Sequence, residues 1–243
     1  MPSVTDHYEN HLAPVYVWMA GGADAALARG RSEVEAACPR PSPAQWAVDL
    51  GAGFGMHAIP LADMGYSVLA IDSSVTLLDV LRSHAVAKPI LTIHDDLLSF
   101  KHHLTAPVPL FLCMGDTLTH LPDRGSVERL IGEVAETLER GGTFVVSFRD
   151  YSTPLVGPSR FIPVRSDESR ILTCFLEYAH ETVTVHDILH ERAGAEWRLR
   201  CSAYRKLRLS PDWVTGALAD KGLLVRREPG LAGMVRLVAT RPL

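Results

Sequence analysis

The stretch that decides the fold is Ala47-Val48-Asp49-Leu50-Gly51-Ala52-Gly53-Phe54-Gly55. Residues 46–50 predict a short buried strand, and residues 57–64 predict the helix that follows it. The glycines at 51 and 53 allow the backbone to turn sharply and to approach a ligand closely. The start of the following helix then points its amide groups at that ligand. The stretch therefore predicts a strand, a ligand-binding turn and a helix in succession.

The alternation of strands and helices continues from this stretch to Phe148. Four more apolar runs predict strands, at residues 67–71, 90–93, 110–114 and 143–148. Residues 76–87 and 126–140 predict helices between them, and Gly141-Gly142 is expected to end the second of these helices. This order is typical of an α/β fold with a Rossmann-like, doubly wound sheet whose strands are mostly parallel.

The chain changes character on both sides of this core. Residues 6–37 read as helical, with a break at Gly21-Gly22. Three β-type runs, at residues 171–178, 182–189 and 196–207, have links too short for helices and predict an antiparallel meander. Residues 211–219 predict a helix that opens on a proline, and residues 223–228 and 233–240 predict a final pair of strands, the last one antiparallel. We expect four units: a helical lid (1–44), the Rossmann-like core (45–150), a small β cover over the active site (151–210), and a helix and strands that complete the core (211–243).

Composition narrows the class of partner. The chain has 243 residues and a formal net charge of −4, without a basic run or a basic amphipathic stretch. We therefore expect a small-molecule substrate, and neither nucleic acid nor a membrane as partner. The four cysteines form no CxxC or Cys/His box, so no metal site is expected. The amino terminus has no secretory signal pattern, which favours a cytoplasmic protein, either a monomer or a homo-oligomer.

Acidic residues follow successive strands of the predicted core. The spacing G-x-G-x-G, with Asp49 before it, disfavours a pyrophosphate and favours a ligand that carries an amine and a sulfonium. Asp72 lies where a carboxylate grips ribose hydroxyls, and Asp96 is placed to accept a hydrogen bond from an adenine amino group, with the Leu97 backbone against the ring. Each aspartate alone is equally consistent with a helix cap or a solvated loop charge. All three together, at strand ends, favour a ligand site.

The motif Asp49–Gly55 resembles motif I of class I S-adenosylmethionine-dependent methyltransferases, and Ile71-Asp72-Ser73-Ser74 resembles their acidic second motif. The resemblance covers roughly residues 45–150. It implies S-adenosylmethionine as cofactor. The residues it implies around that cofactor are Asp49, Gly51, Ala52, Gly53, Gly55, Asp72, Ser73, Asp96, Leu97 and Met114.

A narrower resemblance concerns residues 112–123 and 148–151, which are similar to segments of the glycine N-methyltransferase family. That similarity places the family's carboxylate-binding arginine at Arg149 and its active-site tyrosine at Tyr204. The family's amide-bearing residue after the fourth strand falls on Asp116, which would repel a substrate carboxylate and attract a cationic amine, so glycine is disfavoured as the acceptor. The remaining aromatic positions it implies are Tyr8 and Tyr16 over the cofactor, and Tyr151 in the segment after the fifth strand. Tyr151 and Tyr178 are further candidates for contact with the substrate.

The reaction expected from these residues is in-line methyl transfer to a small-molecule acceptor, most simply an amine nitrogen. Asp116 or His120 would receive the proton of the amine, and Tyr204 or Tyr178 would offer a hydroxyl or an aromatic face to a cation. A structural reading remains open for His120 as a turn cap and for Tyr178 as a packing residue. Two other functions also remain open: cyclisation of the cofactor to azetidine-2-carboxylate with release of methylthioadenosine, and a regulator that binds the cofactor without turnover.

Overall fold

A seven-stranded sheet forms the centre of the computed structural model, which describes residues 3–243. The strands in chain order are β1 (Trp46–Leu50), β2 (Ser67–Asp72), β3 (Ile90–His94), β4 (Val108–Cys113), β5 (Leu138–Phe148), β6 (Phe161–Ser166), β7 (Arg170–Tyr178), β8 (Thr182–Ala193), β9 (Glu196–Leu207), β10 (Leu224–Pro229) and β11 (Val235–Thr240). The central sheet has the order β10-β11-β5-β4-β1-β2-β3. Strands β1 to β5 pair in parallel, whereas β11 is antiparallel to both β5 and β10. This confirms the α/β, mostly parallel sheet with an antiparallel last strand.

Helices cover both faces of the sheet because side chains alternate along each strand. The helices are α1 (Val4–His7), α2 (Ala13–Met19), α3 (Ala23–Ala37), α4 (Ala58–Met64), α5 (Val75–His84), α6 (Arg124–Thr137) and α7 (Pro211–Ala219). Val48 and Leu50 of β1 pack in one apolar cluster with residues of α6 and α7. Ala47, on the other face, packs with residues of α3, α4 and α5. Asp49 shares that second face, so it points beneath the glycine turn.

A second sheet, separate from the first, has the order β6-β7-β8-β9 and is antiparallel throughout. We call it the cover sheet. Its inner face brings Leu176, Val185 and Tyr204 together in one apolar cluster with Tyr151 of the core. Tyr8 packs against the same cluster, so the amino terminus and the cover sheet meet there.

The amino-terminal segment, Val4–Met19, consists of α1, a π-helical turn (Tyr8–Leu12) and α2. Its Glu9 carboxylate accepts hydrogen bonds from the Ser74 hydroxyl (2.6 Å) and the Thr76 amide (3.2 Å) at the start of α5. Its His7 ring lies 2.8 Å from Asp187 and 2.8 Å from Ser202, both in the cover sheet. The segment is therefore bonded to the core and to the cover sheet at the same time.

Two predicted helix ends were wrong, and one strand was not predicted. Helix α6 ends at Thr137, and Gly141-Gly142 lies inside β5 instead of ending the helix. The reason is Arg241, whose guanidinium donates to the carbonyls of Ala135, Glu136 and Leu138 and so satisfies the end of the helix. Helix α5 stops at His84, and strand β6 was not predicted at all. Within residues 3–243, no helix is both long and apolar enough to cross a bilayer.

Candidate active site

A cleft opens at the carboxyl ends of β1, β2 and β4, beside the glycine turn. Its lining residues come from the amino-terminal segment, the turn, and the loops after β2, β3 and β4; they are Val4, Thr5, Tyr8, Tyr16, Gly51–His57 except Gly55, Asp72, Ser73, Leu77, Asp96, Leu97, Met114, Gly115, Thr117, His120, Leu121 and Pro122. Ten of the twelve residues predicted to bind the cofactor lie in this lining, and Asp49 and Gly55 do not. The parallel strands thus bring the separate motifs to one place.

The three glycines of the turn, at positions 51, 53 and 55, have different surroundings. All three have positive φ, which disfavours a side chain. A Cβ on Gly51 would lie 2.4 Å from Thr117, whereas a Cβ on Gly53 would meet only Leu77 at 3.9 Å. A Cβ on Gly55 would lie 2.3 Å from Leu81 of α5. The expectation that Gly55 contacts the ligand is therefore corrected: this glycine allows α5 to pack against the turn.

Asp72 connects the end of β2 to the glycine turn. Its carboxylate accepts the amide hydrogens of Gly53 (2.7 Å) and Ser74 (2.8 Å) while it lines the cleft. Burial raises the pKa of Asp72, although these hydrogen bonds oppose the shift. The Asp96 carboxylate accepts the Leu98 amide (2.8 Å) as a helix cap, and the residue also lines the cleft; its contact with an adenine stays a prediction.

Asp49 lies beneath the cleft and not at its mouth. The residue is 1% exposed, and its Oδ2 has no hydrogen-bond partner among the described residues. Burial raises the pKa of Asp49 to about 6, while nearby His57 opposes the shift. His57 does line the cleft, and its Nε2 lies 3.0 Å from buried Glu33. The structure thus places Asp49 below the cleft lining, so the expected direct contact with a ligand ammonium is not seen, and any role of Asp49 in binding stays a prediction.

Aromatic side chains form the wall opposite the glycine turn. The Tyr8 ring centroid lies 5.9 Å from that of Tyr16, which lies 5.9 Å from that of Phe54 in the turn. Met114, 3% exposed, adds its side chain from the end of β4. Tyr8 and Tyr16 thus lie in the lining at a position from which a side chain would close over a bound molecule.

His120 faces the cleft from the loop after β4. Its Nε2 lies 3.3 Å from the Tyr8 hydroxyl, and its ring stacks on Tyr204 with centroids 5.5 Å apart. Its Nδ1 has no hydrogen-bond partner among the described residues. Burial, together with the charge of Lys206, holds the pKa of His120 well below its usual range. The imidazole is therefore neutral near neutral pH, and its lowered pKa makes it a weaker base than an exposed histidine.

Asp116 is a buried structural carboxylate. It is 4% exposed, does not line the cleft, and adopts a left-handed φ of 77°. Lys206 of β9 donates to its Oδ2 at 2.5 Å, and the Tyr151 hydroxyl donates to the same oxygen at 3.3 Å. The Arg149 amide donates to Oδ1 at 2.9 Å. The expectation that Asp116 attracts a cationic substrate or takes its proton is corrected, because Lys206 of the same chain already neutralises this carboxylate.

The other predicted substrate residues also lie away from the cleft lining. The exposed Arg149 side chain donates to the Ala232 carbonyl at 3.1 Å, so it does not face the cleft and the carboxylate-binding role is corrected. Tyr151 is buried under the cover sheet, and burial raises its pKa to about 12. Tyr178 packs under the Arg208 guanidinium, which lies 5.5 Å from its ring centroid. Tyr204 is 4% exposed, and its ring contacts the rings of His120 and Tyr8, which line the cleft.

Lys206 and His7 are functional neighbours that sequence reasoning missed. Lys206 is 8% exposed, and burial alone would lower its pKa; Asp116 and the surrounding tyrosines outweigh burial and raise it well above the usual range. His7 stacks on Tyr204 at 4.1 Å. The available signal was the alternation in β9, since Tyr204 and Lys206 share the inner face of a strand where a lysine needs a partner.

The lining fits a nucleoside with a small charged tail. Apolar Leu77 and Leu97 flank the carboxylates of Asp72 and Asp96, and Gly53 is open toward the cleft. No lysine or arginine lies among the described lining residues, which fits a ligand without phosphates. Among residues 3–243, no cluster of three or more His, Cys, Asp or Glu side chains is placed to hold a metal.

Comparisons with known proteins find methyltransferases. A family model described as a methyltransferase domain matches residues 47–142. A glycine/sarcosine N-methyltransferase from Aphanothece halophytica is 26% identical over 151 residues, which cover 60% of this chain and 57% of the relative. The matched part of the chain thus spans less than two thirds of that relative.

Two solved structures share the fold over nearly the whole chain. The CcbJ methyltransferase from Streptomyces caelestis has a TM-score of 0.76 and 22% identity, with 97% of this chain and 98% of that chain covered. The amino pentose methyltransferase CalS10 from Micromonospora echinaspora, bound to S-adenosylmethionine, has a TM-score of 0.70 and 19% identity, with 94% and 95% covered. CalS10 was thus solved with the cofactor that the glycine turn and Asp72 of the present chain predict. Residues 47–142 match a methyltransferase domain, and the glycine turn, Asp72 and the strand order agree with the resemblance to class I S-adenosylmethionine-dependent methyltransferases.

Proposed function

We propose that the protein transfers a methyl group from S-adenosylmethionine to the nitrogen of a small-molecule amine. The observation that carries the proposal is His120, which faces the cleft as a neutral imidazole with Nδ1 free of a partner among the described residues. The glycine/sarcosine N-methyltransferase relative supports nitrogen as the acceptor atom.

The chemistry asks the protein chiefly for alignment and for one proton acceptor. The cofactor supplies a methyl carbon made electrophilic by its sulfonium. An amine is protonated at neutral pH and must lose a proton before its lone pair is available; in this proposal His120 takes that proton directly or through water. Tyr8 and Tyr204 fix the imidazole from two sides. Alignment of this kind lowers the barrier by roughly 7–11 kcal/mol.

We assign cofactor binding to the cleft lining. Asp72 would receive the ribose hydroxyls, Asp96 and the Leu97 backbone would meet the adenine, and Gly53 would leave room for the backbone of the turn to approach the methionyl part. Tyr8, Tyr16 and Met114 would cover the sulfonium end. The amino-terminal segment acts as a lid in this proposal, and the cover sheet closes the acceptor side.

The test is an assay of the purified chain with S-adenosylmethionine and a panel of primary and secondary amines, including amino sugars. We expect S-adenosylhomocysteine and N-methylated product. Methylthioadenosine formed from the cofactor alone would instead support cyclisation, and cofactor binding without any product would support the regulator.

A variant assigns the proton transfer. We expect His120→Asn to lower kcat by roughly 10²–10⁴-fold, because general-base catalysis contributes about that much. Binding of S-adenosylhomocysteine should change little. His102→Asn, an exposed histidine outside the cleft, is the matched control. Retention of full kcat by His120→Asn would remove His120 from the mechanism.

A further inference from the structure

The imidazole of His120 is held in an unusual way for a histidine that is to take a proton. In a Ser-His-Asp triad, a carboxylate bonds the second ring nitrogen and so orients the ring. In His120, Nδ1 has no hydrogen-bond partner among the described residues, and Nε2 lies 3.3 Å from the Tyr8 hydroxyl, which is a long hydrogen bond. The orientation of His120 therefore depends on the rings that pack against it.

Tyr204 of β9 provides the ring that lies nearly parallel to the imidazole. The His120 ring stacks on Tyr204 with centroids 5.5 Å apart and planes 13° from parallel. His7 of the amino-terminal segment stacks on the same tyrosine, with centroids 4.1 Å apart and planes 30° from parallel. We call His7, Tyr204 and His120 the ring column. A change in the position of His7 is thus passed to His120 through Tyr204.

Hydrogen bonds on both ring nitrogens fix His7 at the far end of the ring column. Its Nε2 lies 2.8 Å from the Asp187 carboxylate, and its Nδ1 lies 2.8 Å from the Ser202 hydroxyl. His7 is 1% exposed and Asp187 is 2% exposed, so water competes little for these bonds. The other oxygen of Asp187 accepts the Cys174 thiol at 2.8 Å, and β8 is paired on both sides. Asp187 is therefore a rigid anchor for the His7 ring.

We propose that Asp187 is a positioning residue, which holds His7 and, through the ring column, fixes the imidazole of His120 for proton transfer from the acceptor amine. The proposal rests on the proposed function, in which His120 takes that proton. Proton transfer needs the two heavy atoms within hydrogen-bond distance. A misplacement of about 1 Å costs on the order of 100-fold in rate. The carboxylate thus orients the base from two rings away and does not touch it.

Attachment of the amino-terminal segment to the cover sheet is the simpler role for the same contacts. The two roles predict different defects. A loosened segment weakens the hold on a molecule bound under Tyr8 and Tyr16, whereas a misoriented His120 slows turnover of substrates that are already bound. Glu9 attaches the same segment to α5 and makes no contact with the ring column. Glu9→Ala is therefore the comparison for attachment alone.

Asp187→Asn is the first test. The amide keeps the size of the side chain and an oxygen for His7, but it removes the charge. We expect kcat with a methylated amine to fall at least about tenfold, while the Kd for S-adenosylhomocysteine changes less than about threefold. Glu9→Ala should show the larger change in the Kd and the smaller change in kcat. His186→Asn, the next residue along β8 and on its outer face, should change neither. An unchanged kcat in a folded Asp187→Asn chain overturns the inference.

A conservative variant of Tyr204 separates the ring from its hydroxyl. Tyr204→Phe keeps the ring column and should retain kcat within about threefold, whereas Tyr204→Leu interrupts the column and should lose at least as much as Asp187→Asn. Asp187→Asn added to Tyr204→Leu should cost little more, because both changes act through the same rings. Equal kcat values for the Phe and Leu variants, or losses that simply multiply, overturn the inference.

The NMR signals of the His120 ring test the positioning without turnover, in the full chain saturated with S-adenosylhomocysteine. We expect one sharp set in the native chain and in His186→Asn, and broadened or doubled signals in Asp187→Asn and Tyr204→Leu. Ser202→Ala, which removes one of the two bonds to His7, should give the same change if Asp187→Asn does not fold. If no amine is methylated while the signals change in this way, the proposed function fails and the positioning of His120 stands. Unchanged signals in the folded variants overturn the inference, even where amines are methylated.

Discussion

Gly53 and Gly55 lie two residues apart in the turn, and we expect the first to matter for ligand binding and the second for folding. We expect Gly55→Ala to lower the free energy of unfolding by about 2 kcal/mol or more, because its Cβ would lie 2.3 Å from Leu81 at a φ of 92°. Gly53→Ala should fold with a smaller loss, since only Leu77 lies near its Cβ, at 3.9 Å. Its methyl group would project into the cleft and weaken binding of S-adenosylhomocysteine at least about tenfold. Urea unfolding and calorimetry of both variants check the pair, and equal losses of stability would contradict it.

Asp49 makes stability depend on pH. Its folded pKa of about 6 exceeds the reference value of 3.8, so the folded state holds the proton more tightly. The resulting stabilisation is complete below pH 3.8 and is lost as pH rises through about 6. Relative to Asp49→Asn, the free energy of unfolding of the native chain should fall by on the order of 3 kcal/mol between pH 4 and pH 8. Denaturant titrations at several pH values measure this difference, and parallel pH profiles would refute it.

At the scale of elements, the amino-terminal segment and α5 are coupled through Glu9. Its carboxylate bonds Ser74 and Thr76 at the positive end of α5, directly after Asp72. We expect Glu9→Ala to release bound S-adenosylhomocysteine several-fold faster, because the wall that carries Tyr8 and Tyr16 loses its attachment to the core. Glu35→Ala, on an exposed position of α3, is the control in stopped-flow dissociation. An unchanged dissociation rate in Glu9→Ala would show that this contact does not hold the segment closed.

Elements with complete local signals were predictable. β1 and α7 have the expected bounds, since the first ends in glycines and the second opens with Pro211 after the Ser210 cap. The end of α6 was not predictable, because it is set by Arg241, a residue more than 100 positions away. Strand β6 contains Pro163 and shows a register shift beside it, so its pattern is weak.

At the scale of the whole molecule, the meeting of the strand ends around one cleft could be predicted, and the buried partners of the residues behind it could not. Parallel strands oblige Asp72 and Asp96 to meet near the glycine turn, whatever else the chain does. The partners of Asp116 and His7 depend on how the cover sheet folds back: Lys206 lies 90 positions from Asp116, and Asp187 lies 180 positions from His7. Local pattern holds no information on such pairs, which is why Asp116 was misread as a substrate contact.

The buried Asp49 carboxyl also makes cofactor binding depend on the pH and on the buffer. A cofactor with net positive charge, arriving above a carboxyl that titrates near pH 6, favours its ionised form, so binding near that pH should expel a fraction of a proton. The calorimetric heat of S-adenosylmethionine binding should then vary with the ionisation enthalpy of the buffer. The affinity should rise with pH across the same range. Asp49→Asn should abolish both dependences, and a heat that is the same in every buffer for the native chain would contradict this coupling.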